Sequence, residues 1–218
     1  MTPQRWPVVC ATGHRPQHLA PDARSWVRGE LMRVAVKLRE EHGTQIGVSG
    51  MALGVDTWWA QAVLAAGMEL WAYVPFPQQP AKWQPADQEE WRRLRALASR
   101  VREFGPRYDV RLLHARNDGM LLDAKAVTAV WLPGKKDGGT YSAVRKAGRL
   151  RLPVIHLDPR RLRTSLPNTE PAAGADRGVR PDYSGDAPTS SAERTRSDAS
   201  SSAATSCGWQ ILPAGGDL

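Results

Sequence analysis

Residues 45–75 read QIGVSGMALGVDTWWAQAVLAAGMELWAYVP. Gln45–Ser49 is a short apolar run that halts at Gly50, as a buried strand does when it meets a turn. Val55–Ala66 reads as a helix, and Gly67 closes it. Met68–Pro75 is apolar again and short enough for a strand. A strand, a glycine-bordered turn, a helix and a second strand make a βαβ unit, whose strands run parallel.

The flanking sequence repeats the pattern. Upstream, Pro7–Ala11 is an apolar run ending at Thr12-Gly13. It is followed by Trp26, Val27, Leu31, Val34, Ala35 and Leu38 at helical spacing, after the start signal Pro21-Asp22. Downstream come a Pro- and Gln-containing stretch (76–87), a polar helix (88–99), a short strand (100–104), a helix (109–124) and the apolar strand AVTAVWL (126–132). A Gly-rich loop (133–139), a helix (140–150) and a last strand (153–157) complete the series. Short, nearly all-apolar strands alternating with helices predict an α/β domain. It would be Rossmann-like and doubly wound, with a mainly parallel sheet and helices on both faces. Ligands of such folds bind beyond the carboxyl ends of the strands.

Periodicity stops at about Asp158. The domain is therefore expected to span residues 1–160, with residues 161–218 a disordered tail rich in Ser, Ala, Pro and Gly. That stretch has too little apolar surface to offset its ordering entropy. Its Cys207–Leu212 segment is an isolated apolar patch. No run of about 18 apolar residues exists, which excludes a membrane span. MTPQRWPVVCATGHRP has no long apolar region, so no secretory signal is expected. Cys10 and Cys207 are the only cysteines, too few for a disulfide framework or a four-thiolate zinc site. A cytoplasmic setting follows as the expectation. Residues 1–160 carry 24 Lys/Arg against 15 Asp/Glu, and residues 161–218 carry 6 against 7. The domain, and not the tail, should therefore attract anions.

Four polar clusters carry the chemistry: Thr12–Pro16 (TGHRP), Ser49–Asp56 (SGMALGVD), Arg116-Asn117 with Met120, and Gly134–Thr140 (GKKDGGT). Three of them directly follow strands and should meet at one sheet edge. Gly50 and Gly54 precede one helix, and Gly138-Gly139-Thr140 another. Glycines let backbone N–H groups approach a phosphate, and a helix N-terminus adds partial positive charge. Neither cluster is a Walker or GxGxxG motif. Asp56 suits either the helix dipole or a ribose hydroxyl. Arg15 and Arg116 are planar anion binders, and His14 is a donor or an acid–base group. No metal is expected at His14. Trp58, Trp59 and Trp71 read as core; for Trp83, in the loop after the third strand, stacking on a base is an alternative to packing.

TGHRP, SGMALGVD, PFPQQPAKW, and ARNDGM followed by an apolar strand and GGT, in this order, resemble the YpsA-like branch of the SLOG superfamily. That superfamily joins the DNA-processing protein A (Smf) proteins with the LOG nucleotide phosphoribohydrolases. The resemblance covers about residues 5–158. It implies a Rossmann-like domain binding a nucleotide or a nucleotide-derived ligand such as AMP, ADP-ribose or NAD, as a sensor or regulatory module. In LOG proteins an arginine and a glutamate act on the N-glycosidic bond, in the pattern Arg-Lys-x-x-Met, apolar strand, Pro-Gly-Gly-x-Gly-Thr-x-x-Glu. Arg116, Met120, Pro133, Gly134, Gly139 and Thr140 fall on that pattern. Asn117 replaces the lysine, and Ala143 stands where the glutamate would be.

The ligand-binding residues are thus expected to be Gly13, His14, Arg15, Ser49, Gly50, Gly54, Asp56, Arg116, Asn117, Gly138, Gly139 and Thr140. His14, Asp56 and Arg116 are the catalytic candidates should a reaction occur. Two alternatives compete with a small-molecule binding module. One is a LOG-type hydrolase in which Asp56 or Asp137 replaces the glutamate. The other is a single-stranded DNA-binding protein, attracted by the basic domain. Homo-oligomerisation is compatible with each.

Overall fold

The computed structural model describes residues 5–132 and 134–165. Seven strands form one sheet: β1 (Val8–Gly13), β2 (Ile46–Ser49), β3 (Glu69–Val74), β4 (Arg100–Glu103), β5 (Ala126–Val130), β6 (Val154–Asp158) and β7 (Arg163–Ser165). Five helices connect them: α1 (Pro21–His42), α2 (Val55–Ala65), α3 (Pro85–Leu97), α4 (Val110–Asp123) and α5 (Gly138–Arg149). The strand order is β4-β3-β2-β1-β5-β6-β7, parallel throughout except for the antiparallel β6–β7 pair.

Residue alternation divides the core between two faces. On β3, Leu70, Ala72 and Val74 join the cluster that holds Val27, Leu31 and Leu38 of α1, Trp59 of α2 and Trp91 of α3. The intervening Trp71 and Tyr73 face the smaller cluster with Met120 of α4 and Ala147 of α5. A two-residue period feeding two apolar faces is what an all-apolar strand becomes once helices cover both sides. Helices α1–α3 accompany the chain as it steps from β1 out to β4, and α4 carries it back to the far side of β1. The winding therefore reverses between β1 and β5, which pair from Val9↔Ala126 to Gly13↔Val130. A crevice opens at the carboxyl ends of strands at such a switch point.

The ordered chain runs further than its apolar periodicity. Asp158 Oδ1 accepts from the Arg160 and Arg161 amides at 2.9 and 3.3 Å. This turn brings Arg163–Ser165 back along β6, with Leu157↔Thr164 in register. Thr164 Oγ1 donates to Glu30 of α1. Main-chain pairing and one carboxylate-centred turn hold β7, so hydrophobic pattern gives no sign of it. The tail expectation for residues 166–218, including Cys207 and Trp209, lies outside the described residues. Among the described residues no helix is long and apolar enough to cross a membrane.

Candidate functional site

A cleft of about 630 Å³ lies at the reversal point, within the range of ligand pockets, roughly 300–1,000 Å³. Its walls come from the end of β1 (Thr12 to Arg15), the turn after β2 (Ala52, Leu53, Asp56), one side of α4 (Arg116, Asn117), the loop after β5 (Lys135, Asp137) and the first turn of α5 (Gly138 to Thr140).

The floor is a buried ion pair. Arg116 Nη1 donates to Asp56 Oδ2 at 2.8 Å, and both side chains are about one-tenth exposed. The α2 turn is built around this carboxylate. Asp56 Oδ2 also accepts from the Ala52 amide at 3.3 Å, and Ser49 Oγ donates to the Asp56 carbonyl at 2.7 Å while accepting from the Met51 amide. Burial pushes the Asp56 carboxyl above its ordinary range, opposed first by Arg116 and then by the Ala52 amide. Arg116 Nε is buried with no partner among the described residues. The guanidinium is therefore spoken for on one nitrogen only.

Two glycines permit this packing. A Cβ at Gly50 would lie 1.5 Å from Arg116 Nη1, so the ion pair occupies the space a side chain would need. Gly54 has φ +101°, and a Cβ there would meet Pro16 Cδ at 2.6 Å. The Gly54 amide donates to Thr57 Oγ1 (3.2 Å), and that hydroxyl donates back to the Gly54 carbonyl (2.9 Å). The N-terminus of α2 is thus closed by its own side chains.

The start of α5 differs. No side chain caps it, so the amides of its first turn lack the intrahelical partner that later residues have. A Cβ on Gly139 would meet only Asn117 Nδ2, at 3.8 Å, and one on Gly138 nothing within 4 Å. Arg15 is exposed at the cleft wall; its carbonyl accepts from the His18 amide at 3.0 Å, and its side chain makes no ion pair or hydrogen bond among the described residues. Lys135 lies 3.7 Å from Asp137.

His14 joins the two sides. It is 5% exposed, and its Nε2 accepts from the Leu132 amide at 3.2 Å, which leaves the ring proton on Nδ1. Burial, then the positive charge of Lys135, lowers its pKa to about 4. At neutral pH the ring is an uncharged hydrogen-bond donor.

No protein-family model matches the chain, and no curated protein matches it significantly by sequence. Solved structures do match. DNA processing protein A from Streptococcus pneumoniae aligns with a TM-score of 0.52 at 18% identity, over 69% of this chain and 50% of that one. DNA processing protein A from Helicobacter pylori, described for its single-stranded DNA binding mode, aligns with a TM-score of 0.51 at 18% identity, over 73% and 71%. The chain shares its fold with these two DNA processing proteins. This chain spans half the length of the pneumococcal protein.

On this fold, nine of the twelve residues expected at the site line the cleft: Gly13, His14, Arg15, Asp56, Arg116, Asn117, Gly138, Gly139 and Thr140. Ser49, Gly50 and Gly54 do not line it. They stand behind the wall and shape the Asp56 turn, because the carboxylate takes the place at α2 where an anion would have sat. Trp83 does not line the cleft either; it packs partly buried against the larger core. Ala143, at the position of the LOG glutamate, is 5% exposed within the α4–α5 core. His18 and His114 also line the cleft. They lie beside expected residues, four after His14 and two before Arg116, yet neither belongs to a glycine-bordered turn. Among the described residues no group of His, Cys, Asp and Glu is arranged to hold a metal.

Proposed function

We propose that the cleft binds a nucleotide or nucleotide-derived ligand, in the class of AMP, ADP-ribose or NAD, and that the domain is a sensor or regulatory module. The observation that carries this reading is the uncapped first turn of α5, open above Gly139 and sharing one cleft with Arg15, Lys135 and Arg116. A phosphate there would take amide donors and helix-dipole charge, and Arg15 would neutralise it. Asn117 and the Nδ1–H of His14 would hydrogen-bond the neutral part. The TGHRP and SGMALGVD motifs support the YpsA-like branch. The domain would be residues 1–160 with the short β7 appended, acting in the cytoplasm with a small molecule as its partner.

Calorimetric titration with AMP, ADP-ribose and NAD should show binding to at least one. Gly139→Asp, which sets a carboxylate where the phosphate would sit, should weaken it at least tenfold while the melting temperature stays within a few degrees. Absence of heat with every nucleotide would overturn the reading. Release of free base on incubation would instead favour hydrolysis. That alternative has only Asp56, already engaged by Arg116, and the exposed Asp137 as carboxylates in the cleft.

A second reading is favoured by the Helicobacter relative's single-stranded DNA binding together with the basic excess of the domain. Retention of single-stranded DNA that falls steeply with salt, and survives Gly139→Asp, would select it.

A further inference from the structure

A second hollow, of about 390 Å³, lies at the opposite end of the sheet. It is framed by the segments that enter β1, β5 and β6, three adjacent strands, and by the C-terminal ends of α4 and α5. Arg5, Lys125 and Arg151 line it, with no acidic side chain. None of the three makes an ion pair or side-chain hydrogen bond among the described residues. Leu122 and Leu150 add apolar wall and are 66% and 41% exposed.

The two helix ends do not cancel this charge. A helix C-terminus carries about half a negative charge, so two offset roughly one of three cations and leave about +2. Arg151 adds an independent observation. The helix-closing turns after α1 and α2 place glycine in the left-handed region, Gly43 at φ +62° and Gly67 at φ +71°. The turn after α5 has the same hydrogen bonding as the turn after α2, with the Arg151 amide on the Gly148 carbonyl and the Leu152 amide on the Ala147 carbonyl, both at 3.0 Å. Yet it places Arg151 there, at φ +55°. A Cβ is disfavoured in that conformation, so the arginine occupies a position where glycine would be less strained, in a hollow with two other cations.

We propose that this hollow is a second anion site, for an organic phosphate monoester: the dianionic phosphate between Arg5, Lys125 and Arg151, and the apolar body against Leu122 and Leu150. It is separate from the cleft and does not rest on the reading of the cleft.

Phenyl phosphate is the probe, followed by amide NMR in the full chain carrying Gly139→Asp, so that the cleft is blocked. The resonances of Leu122, Lys125, Arg151 and Leu152 should shift saturably, and at least tenfold more probe should be needed after Lys125→Glu or Arg151→Gly. Arg151→Gly relaxes the backbone, so it should melt no lower than its parent, and its loss of binding cannot be laid to misfolding. Unmoved resonances, an unchanged response in Arg151→Gly, or an equal response to inorganic phosphate at matched ionic strength would each overturn the proposal. Shifts in wild type confined to residues 138–140 would overturn it too, while leaving the cleft reading intact.

Discussion

The turns leading into α2 and α5 are made of similar residues and end in different states. Each leaves a strand, carries glycines at positive φ (Gly54 at +101°, Gly138 at +80°) and opens a helix. At α2 the local donors are consumed internally: Thr57 caps Gly54, and Asp56 gathers the Ala52 amide and the Arg116 guanidinium. At α5 Asp137 holds the cap position and makes no capping bond. What separates a closed turn from an uncapped one is therefore the side chain beside the glycine, not the glycine. Asp56 supplies a resident anion to the first turn of α2, whereas Gly139 and Thr140 supply none to α5.

The largest test of this contrast exchanges the same small substitution between the turns. Gly50→Ala must displace Arg116 and leave Asp56 buried without its counter-charge. Urea unfolding should show a loss of about 2–4 kcal/mol. Gly139→Ala adds a Cβ in open space on a helical residue, and stability should stay within about 1 kcal/mol of wild type. Its effect should fall on nucleotide affinity instead. Comparable destabilisation by both would mean that the α5 turn is as closed as the α2 turn.

The next test concerns the residue between the turns. His14 follows Gly13 on β1, its carbonyl lies near Gly54, and its ring holds the Leu132 amide at the root of the loop that leads to α5. Its folded pKa, about 4 against an ordinary 6.5, is depressed by burial and then by Lys135 and His18. The unfolded chain therefore binds a proton between pH 6.5 and about 4 that the folded chain refuses. Stability falls as pH is lowered through that window and gains nothing from this group above it. His14→Gln keeps an acceptor for Leu132 and removes the titration. The wild type should lose on the order of 2 kcal/mol more than this variant between pH 7 and pH 4.5. Parallel pH profiles would show that the ring is solvated and does not tie the two turns together.

Much of this was legible before any coordinates. Val8–Gly13, Ile46–Ser49 and Ala126–Val130 are apolar runs bounded by turn residues, and burial on both sheet faces leaves a strand no other composition. The strand-end clusters converge because parallel strands share one carboxyl edge, which is a matter of topology. Two things were not legible. Nothing in SGMALGVD says whether Asp56 points into its own turn or toward a guest. That depends on Arg116, sixty residues away on α4, whose partner only packing selects. Nor does RTS at 163–165 announce a strand, because main-chain bonds and the Asp158 turn hold it without an apolar residue.

The smallest effect belongs to Asp137, and it sharpens the comparison most directly. Its side chain is 78% exposed, at the cap position of α5 and on the cleft wall. If the first turn of α5 receives a phosphate, this carboxylate opposes it through solvent, a repulsion worth a few tenths of a kcal/mol at an exposed site. Asp137→Asn removes the charge and keeps a side chain able to cap. AMP or ADP-ribose affinity should rise about two- to threefold, and the gain should shrink as salt is raised from 50 to 300 mM. The matching change at the other turn, Asp56→Asn, should do the opposite: it strands Arg116 in the floor of the cleft and lowers stability. If Asp137→Asn weakens binding, the carboxylate serves the ligand directly, through a ribose hydroxyl or a cation it brings. The two turns would then resemble each other more closely than their capping suggests.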